Sequence, residues 1–267
     1  MPADLNGARV LLTGASGGIG NAIARALHAR GAHVLVTGRR RDALDELAAA
    51  LGDRIEPLVA DLAEPDAPAA LVEAAGRVDV LVSNAALPGS GKLESFSPDE
   101  IDRAIAVNMR APMQLARALV PAMVDRGSGQ VVLIASLSGK VAAAYSSIYS
   151  ATKFGLRGFG LSLNDELHGS GVGASVVSPG FIRDAGMFAD AKVDLPPGAG
   201  TKTPSDVADA VVSAVEKGRG EIDVAPVAFR AGGRLYGLAP GVFAAMQRRM
   251  GSHKVGAAMG EGQRDKR

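Results

Sequence analysis

The sequence predicts an α/β fold: a Rossmann-type, doubly wound parallel sheet of about seven strands with helices on both faces. Short runs rich in β-branched residues alternate along the chain with Ala-rich stretches of helical period. The strand runs are continuously apolar, a pattern typical of strands that are covered on both faces. Hydrophobic residues make up 47% of the 267 residues and charged residues 21%, so the chain can form a large core.

The elements are assigned in chain order within residues 1–226, the expected cofactor-binding catalytic domain. Apolar, β-branched runs predict strands at Arg9–Thr13, His33–Thr37, Ile55–Val59, Val78–Ser83, Gln130–Ala135, Gly173–Val177 and Glu221–Ala225. Helical periodicity predicts helices at Ile19–Ala29, Asp42–Leu51, Asp66–Ala75, Pro98–Arg126 (one long helix or a broken pair), Tyr149–His168 and Pro204–Lys217. Ser97 and Thr203 each precede a proline that begins a helix, as N-cap residues do.

Two segments depart from this alternation. Asp184–Thr203 is long, contains Gly and Pro and has no strand, which is typical of a lid over a site. After Pro226 the alternation stops, and residues 227–267 hold eight Lys or Arg against two Asp or Glu. We expect an apolar and basic extension over residues 227–250 and a disordered tail over residues 251–267.

Composition excludes several functions. Lys plus Arg number 29 and Asp plus Glu 28, so the net charge of +1 gives no reason to expect a nucleic-acid partner. The chain has no cysteine, which excludes disulfides and thiolate catalysis, and four His make a His-rich metal site improbable. No signal peptide and no apolar run of membrane-spanning length is visible. A cytoplasmic protein without a metal is expected.

A glycine-rich turn, VLLTGASGGIG, joins the first strand to the first helix. Gly14 permits a tight turn, while Gly18 and Gly20 let the backbone approach a pyrophosphate at the helix N-terminus. Such a turn alone can also be an ordinary loop. Its position between a strand and a helix favours a dinucleotide site.

The end of the second strand indicates which nucleotide binds. Gly38 stands where an NAD site usually has an acid, and Arg39 follows it as a donor to a 2′-phosphate. This favours NADP over NAD, although Arg39–Arg41 can also be a solvated helix start. Asp61, after the third strand, is placed to accept from the adenine amino group or to cap a turn.

Tyr149 and Lys153 are four residues apart and share one face of a helix. An ammonium group beside a phenol favours the phenolate, so we expect a lowered pKa for Tyr149 and a general acid or base near neutral pH. Lys153 can also hold the nicotinamide ribose. Ser136 ends the fifth strand and can hold a substrate oxygen. Nucleophilic catalysis by Ser136 is the alternative, but neither a matching His motif nor a GxSxG turn is present.

Six motifs occur in a specific order: TGASGGIG, SNAA at 83–86, VNMRAP around Asn108, LIASLSG around Ser136, YSATK at 149–153 and SPGFI at 178–182. Over residues 5–226 the chain resembles the short-chain dehydrogenase/reductase family, in its short, single-domain branch. The resemblance implies that Asn108 holds a water linking Lys153 to solvent. The cofactor contacts expected beyond those named above are Ser16, Ile19, Leu62, Asn84, Ala85, Pro179, Gly180, Ile182 and Asp184.

Two residues depart from the family pattern, and two others could be mistaken for site residues. Ala86 replaces a glycine common in the family, and Asp184 replaces a threonine common in many relatives, which adds a negative charge beside the expected carboxamide. Ser138 could be mistaken for Ser136, but the spacing of Ser136 from Tyr149 matches the family. Tyr145 fits a core position better than a pocket wall.

These residues predict an NADP-dependent oxidoreductase that interconverts a carbonyl and an alcohol, with a small and hydrophobic substrate. A 3-oxoacyl thioester reductase is a possible subtype, and a non-catalytic cofactor-binding scaffold is the alternative.

The helices at Pro98–Arg126 and Tyr149–His168 are apolar on most sides, which predicts a homodimer or homotetramer. The uncharged stretch 235–247, with arginines on either side, has two interpretations. In the first it packs on the domain, forms a wall of the substrate pocket or extends the subunit interface, and in the second it is a peripheral membrane anchor.

Overall fold

In a computed structural model, which describes residues 2–193, 195, 200–249 and 251–266, a parallel seven-stranded sheet forms the centre of the protein. The strands are β1 Arg9–Thr13, β2 His33–Gly38, β3 Ile55–Val59, β4 Val80–Ser83, β5 Gly129–Ile134, β6 Val172–Pro179 and β7 Glu221–Val224. Their spatial order is β3-β2-β1-β4-β5-β6-β7. The order reverses between β1 and β4, the point where open α/β sheets bind ligands. The predicted fold class is confirmed.

Eleven helices lie in the described part of the chain. They are α1 Gly18–Ala29, α2 Arg41–Leu51, α3 Ala67–Ala75, α4 Pro98–Ile105, α5 Ala111–Asp125, α6 Ser147–Glu166, α7 Met187–Ala191, α8 Pro204–Lys217, α9 Val227–Leu238, α10 Pro240–Arg249 and α11 Ser252–Gly262. The side chains of Ser97 and Thr203 each accept from the backbone N–H three residues on, which confirms both predicted N-caps.

The sheet is buried on both faces because successive residues of a strand point to opposite sides. Val10 and Leu12 of β1 face a cluster that includes Ile23 of α1 and Val211 of α8. Leu11, between them, faces the second cluster, which α3, α5 and α6 cover. This two-sided burial explains why the strands read as continuous apolar runs.

The predicted long helix at Pro98–Arg126 is broken. A π-helical segment, Ala106–Arg110, separates α4 from α5. Pro112 has no N–H and cannot bond back to the carbonyl of Asn108 in the α-helical pattern. The N–H of Ala111 bonds to the carbonyl of Ala106, five residues earlier, so the backbone widens at Asn108.

The C-terminal region departs most from expectation. The tail, expected to be disordered from residue 251, is helical over Ser252–Gly262, and the side chain of Gln263 is buried. That expectation is therefore wrong for the described residues. The tail packs on α7, a helix inside the expected lid: the amide of Gln263 donates to the carbonyl of Met187 at 2.9 Å. None of the helices within the described residues has the length and apolar character needed to cross a membrane.

Candidate active site

A cavity of about 1460 Å³ opens at the carboxyl ends of the strands. The glycine-rich turn forms one end of it, and the loops after β4, β5 and β6 form its middle. The helices α9, α10 and α11 contribute side chains to the opposite wall. Every predicted site residue lines this cavity except Asn108, which is fully buried beside it.

A side chain at Gly14, Gly18 or Gly20 of the turn would clash with its neighbours. Gly14 has φ +70°, and a Cβ there would lie 2.8 Å from the Cα of Ala85. A Cβ on Gly20 would collide with the carbonyl oxygen of Gly14, and one on Gly18 with the Cβ of Ala185. The N-terminus of α1 therefore lies close to β1, with backbone rather than side chains facing the cavity.

Thr13 and Asn84 hold the turn against the end of β4. The hydroxyl oxygen of Thr13 accepts from the backbone N–H groups of Asn84 and Ala85, each at 3.0 Å. The side-chain amide of Asn84 donates to the carbonyls of Thr13 at 3.1 Å and Gly14 at 3.2 Å. Thr13 is not among the predicted site residues, and its only sequence signal is a hydroxyl that follows the apolar run at residues 10–12.

The end of β2 has a glycine, with the side chain of Ser16 beside it, where an acid would stand. A Cβ on Gly38 would lie 2.7 Å from the hydroxyl oxygen of Ser16. Arg39 and Arg40 line the cavity, and Arg40 donates to the carbonyl of Ser16 at 2.6 Å. Arg41 begins α2 and pairs with Asp45 at 2.8 Å, so it is the surface residue of the three.

Asp61 has a role in its own turn. Its carboxylate accepts from the N–H of Ala63 at 3.0 Å and lies 3.6 Å from Arg103 and 4.0 Å from Arg39. The side chain is about one third exposed and lines the cavity beside Leu62. The turn-capping interpretation is thus confirmed, while the expected adenine contact stays a prediction.

Ser136, Tyr149 and Lys153 come together between the end of β5 and the first turns of α6. The hydroxyl of Ser136 interacts with the phenol of Tyr149 in the direction that lowers the pKa of the tyrosine. Ser136 also accepts from the N–H of Ser138 at 3.1 Å and lies 3.4 Å from the carbonyl oxygen of Pro179. Ser136 therefore occupies the position beside the phenol, and Ser138 supports it through its backbone.

Burial controls the pKa values of this group. Desolvation raises the pKa of Tyr149 to about 12, and the hydrogen bond with Ser136 opposes that change. Desolvation lowers the pKa of Lys153 to about 8. The expected lowering of the Tyr149 pKa by Lys153 is not found in this structure, because desolvation outweighs the lowering contribution, which comes from Ser136.

Asn108 fixes the loop after β4 to α6. Its carbonyl oxygen accepts from the N–H of Leu87 at 2.7 Å, and its amide donates to the carbonyl of Leu87 at 2.9 Å. The amide also donates to the hydroxyl of Thr152 at 3.3 Å, which in turn donates to the carbonyl of Tyr149 at 2.9 Å. The side chain is thus a positioning group one step from Tyr149. The expected water link to Lys153 stays a prediction.

Tyr145 lines the cavity rather than the core, which corrects the earlier interpretation. Helix α6 begins only at Ser147, and Tyr145 has φ +61°. It therefore does not share a helical face with Tyr149. Its carbonyl accepts from the N–H of Gly91 at 2.7 Å, which ties the loop before α6 to the loop after β4.

The segment after β6 connects the sheet to the expected lid. Gly180 donates from its N–H to the carbonyl of Val224 at 3.0 Å, and Ile182 forms an isolated bridge with Lys202. Asp184 has φ +71°, pairs with Arg183 at 3.5 Å and leaves about two thirds of its side chain exposed. The carboxylate is therefore partly committed to its neighbour. Five residues of the expected lid, 194 and 196–199, lie outside the described residues.

Aromatic side chains join the lid to the C-terminal helices. The Phe181 ring lies 4.9 Å from that of Phe188 in α7 and 5.8 Å from that of Phe229 in α9, measured between centroids. Lys266, after α11, pairs with Asp190 of α7 at 2.7 Å. This wall agrees with the interpretation in which the stretch 235–247 borders the substrate pocket.

Known proteins resemble this chain in sequence and in structure. A model of the family described as short chain dehydrogenase matches residues 8–195. Ketoacyl reductase HetN of Nostoc sp. is 40% identical over 227 residues, covering 82% of this chain and 79% of that protein. Nodulation protein G of Rhizobium sp. is 39% identical over 186 residues, covering 68% of this chain and 76% of that protein.

Two solved structures add bound cofactors to the comparison. A short-chain dehydrogenase from Sphingobium yanoikuyae in complex with NADPH has a TM-score of 0.77 and 31% identity, covering 88% of this chain and 94% of that one. A 3-ketoacyl-(acyl-carrier-protein) reductase from Brucella melitensis complexed with NADH has a TM-score of 0.74 and 26% identity, covering 82% and 97%.

Proposed function

The chain belongs to the short chain dehydrogenase family of oxidoreductases, and we propose that it interconverts a carbonyl and an alcohol with NADP as the cofactor. The observation that carries this proposal is the Ser136–Tyr149–Lys153 group, which lines the same cavity as the glycine-rich turn. A hydroxyl pair and a lysine at this place suit proton transfer to or from an oxygen.

The residues of the cavity fit a dinucleotide. Gly14, Gly18 and Gly20 leave a surface that a Cβ would fill, and the N-terminus of α1 follows it. Ser16 and Ile19 would flank the pyrophosphate, and Asp61 and Leu62 the adenine. Asn84 and Ala85 would contact the part of the dinucleotide next to the glycine-rich turn. The nicotinamide end would be bordered by Pro179, Gly180, Ile182 and Asp184. Lys153 would hold the nicotinamide ribose.

The preference for NADP rests on the end of β2. The hydroxyl of Ser16 lies beside Gly38, and a glycine offers no carboxylate to the ribose hydroxyls. Arg39 is more than half exposed and lines the cavity, as does Arg40, which donates to the carbonyl of Ser16. Two guanidinium groups at this edge suit a phosphate better than a pair of hydroxyls. NAD stays the less favoured alternative.

In the reductive direction the substrate carbonyl oxygen would lie between the hydroxyls of Ser136 and Tyr149. Ser136 would donate a hydrogen bond that stabilises the negative charge developing on that oxygen. Tyr149, which is protonated at neutral pH, would deliver its phenolic proton to the oxygen. When held by these residues, a nicotinamide cofactor would supply the hydride chemistry at the carbonyl carbon, in either direction. Asn108 and Thr152 would keep Tyr149 in register through the contacts described above.

The substrate-binding half of the cavity supports a hydrophobic carbonyl. Phe181, Phe188, Phe229, Phe243, Met246 and Met259 are among the side chains that line it. A 3-oxoacyl thioester is the more specific candidate, which the printed names of the Nostoc and Brucella proteins favour. Such a substrate would place its acyl chain along these apolar side chains.

We also expect a homo-oligomer and a cytoplasmic location. Ile105, Val124 and Phe154 lie on α4, α5 and α6 with more than a third of each exposed, which supports burial in a homodimer or homotetramer. A cytoplasmic location stays a prediction from composition.

Nicotinamide absorbance tests the reaction class directly. Purified protein would be assayed with NADPH or NADH against aliphatic aldehydes, ketones and a 3-oxoacyl thioester. We expect turnover with NADPH that increases with the apolar length of the carbonyl substrate. A protein that binds NADPH but turns over none of these carbonyls, and oxidises none of the matching alcohols, would favour the cofactor-binding scaffold instead.

A further inference from the structure

The helices α9 and α10 fold against each other and form what we call the C-terminal hairpin, residues 227–249. The rings of Tyr236 and Phe243 meet edge to face with centroids 5.6 Å apart. The ring of Phe243 would lie 3.3 Å from a Cβ on Gly232, so the small residue allows the two helices to approach. The connection at Ala239 is continuous, because its N–H bonds back to Leu235 and its carbonyl accepts from Phe243.

This hairpin presents apolar side chains in two directions. Phe229, Phe243 and Gly232 line the cavity. In contrast, Val227, Leu238 and Val242 are 70%, 84% and 72% exposed. Leu235 and Met246 line the cavity and are also 53% and 43% exposed, so they lie at the rim between the two sides. Large apolar side chains this exposed, clustered within sixteen residues, indicate a surface that something covers.

The charge of the hairpin restricts what can cover it. Residues 227–249 contain Arg230, Arg234, Arg248 and Arg249 and no Asp or Glu. All four arginines are exposed, and within the described ranges none of them has a carboxylate at ion-pair distance. A two-fold contact with a second copy through this hairpin would bring like charges together. An anionic surface is complementary to it.

We propose that the C-terminal hairpin docks on the surface of an anionic lipid bilayer. Leu238 and Val242, at the turn between the helices, would enter the boundary between head groups and acyl chains. The arginines would contact the anionic head groups. Because the opposite side of the hairpin covers the cavity, docking would place the cavity entrance next to the lipid. The side of the hairpin that lines the cavity then packs on the domain, and the exposed side is the membrane anchor.

Vesicle co-sedimentation tests the proposal without any measurement of turnover. The full chain is mixed with vesicles of phosphatidylcholine and phosphatidylglycerol, or of phosphatidylcholine alone, at low and at high salt. We expect binding to the anionic vesicles at low salt that weakens as salt is added, and far weaker binding to phosphatidylcholine alone. Absence of binding to anionic vesicles at low salt would overturn the proposal.

Paired variants identify the surface. Leu238→Asp with Val242→Asp should weaken vesicle binding by about tenfold or more, because two inserting side chains are lost. Arg248→Gln with Arg249→Gln should weaken it by about tenfold and flatten its salt dependence. The matched control is Leu93→Asp, an exposed leucine outside the hairpin, which should bind as the wild type does.

Two further results would also overturn the proposal. One is equal loss of binding in the Leu93→Asp control, which would indicate a general effect of added negative charge. The other is a wild-type oligomer that the Leu238→Asp and Val242→Asp pair dissociates, with no wild-type vesicle binding, which would make a second copy the occupant. The salt and lipid dependence of the wild type decides the matter even if a variant does not fold.

Discussion

The side-chain nitrogen of Lys153 lies 5.6 Å from the centre of the Tyr149 ring and donates a 2.9 Å hydrogen bond to the carbonyl of Ile134, at the end of β5. Lys153 is thus anchored to the sheet and lies over the face of the ring. Burial lowers the pKa of the lysine to about 8 and raises that of the tyrosine to about 12. At neutral pH the pair is therefore an ammonium beside a protonated phenol, which suits an acid for carbonyl reduction.

The pH dependence of reduction should reflect Lys153. Because its pKa is lowered to about 8, the lysine is charged below that pH and neutral above it. We expect kcat/KM for carbonyl reduction to be constant below about pH 8 and to fall above it, since this parameter reports the free enzyme. Lys153→Met should lower activity and remove the decline. A wild-type profile that stays flat to about pH 10 would contradict this role.

Ser136 and Ser138 form a matched pair of variants. Ser136→Ala removes the hydroxyl that interacts with Tyr149, and kcat should fall by about 10²–10³-fold, as for the loss of one donor to a developing oxyanion. Ser138→Ala keeps the backbone N–H that supports Ser136 and should retain kcat within a few-fold. Steady-state kinetics with one carbonyl substrate compares them. Similar losses in both variants would mean that the hydroxyl of Ser136 has no special position.

Arg39 should determine the choice between the two nicotinamide cofactors. Arg39→Asp removes a phosphate donor, and the ratio of kcat/KM for NADPH to that for NADH should fall by about 10- to 100-fold, the value of one hydrogen bond to a charged group. Arg41→Asp is the control, because Arg41 pairs with Asp45 on the helix surface and does not line the cavity. An unchanged ratio in Arg39→Asp would reject the assignment.

The tail should hold the lid. Gln263 is 1% exposed and donates to the carbonyl of Met187, so Gln263→Ala frees α7 on one side. Trypsin should then cleave near Lys192 about 3- to 10-fold faster, the effect of losing one hydrogen bond on local opening. Lys254→Ala, an exposed change on α11, the helix that Gln263 follows, is the control. Equal cleavage rates in the wild type and Gln263→Ala would show that the tail does not restrain the lid.

Sequence patterns predicted the sheet and most of the site because both depend on local signals. The apolar runs assigned to strands lie within two residues of the observed strands, and the motif residues Ser136, Tyr149 and Lys153 meet as expected. The glycines of the turn could be identified because steric limits at Gly14 and Gly20 leave no room for a side chain.

The features that sequence could not predict depend on long-range contacts. The Tyr149 pKa is set by burial in the assembled cavity, which spacing along one helix does not reveal. The order of the tail comes from Gln263 packing on Met187, 76 residues earlier in the chain. Tyr145 faces the cavity because its backbone turns at φ +61° before α6 begins, and no helical pattern predicts that orientation.

The proton transfer assigned to Tyr149 is the central claim, and Tyr149→Phe tests it most directly. The variant keeps the ring beneath Lys153 and removes only the phenolic hydroxyl. Single-turnover reduction would be measured together with NADPH affinity by fluorescence titration. We predict that the rate of reduction falls by about 10²–10⁴-fold, the usual value of general acid catalysis, while the Kd for NADPH changes less than about threefold. A reduction rate within tenfold of the wild type, with cofactor bound normally, would contradict the mechanism.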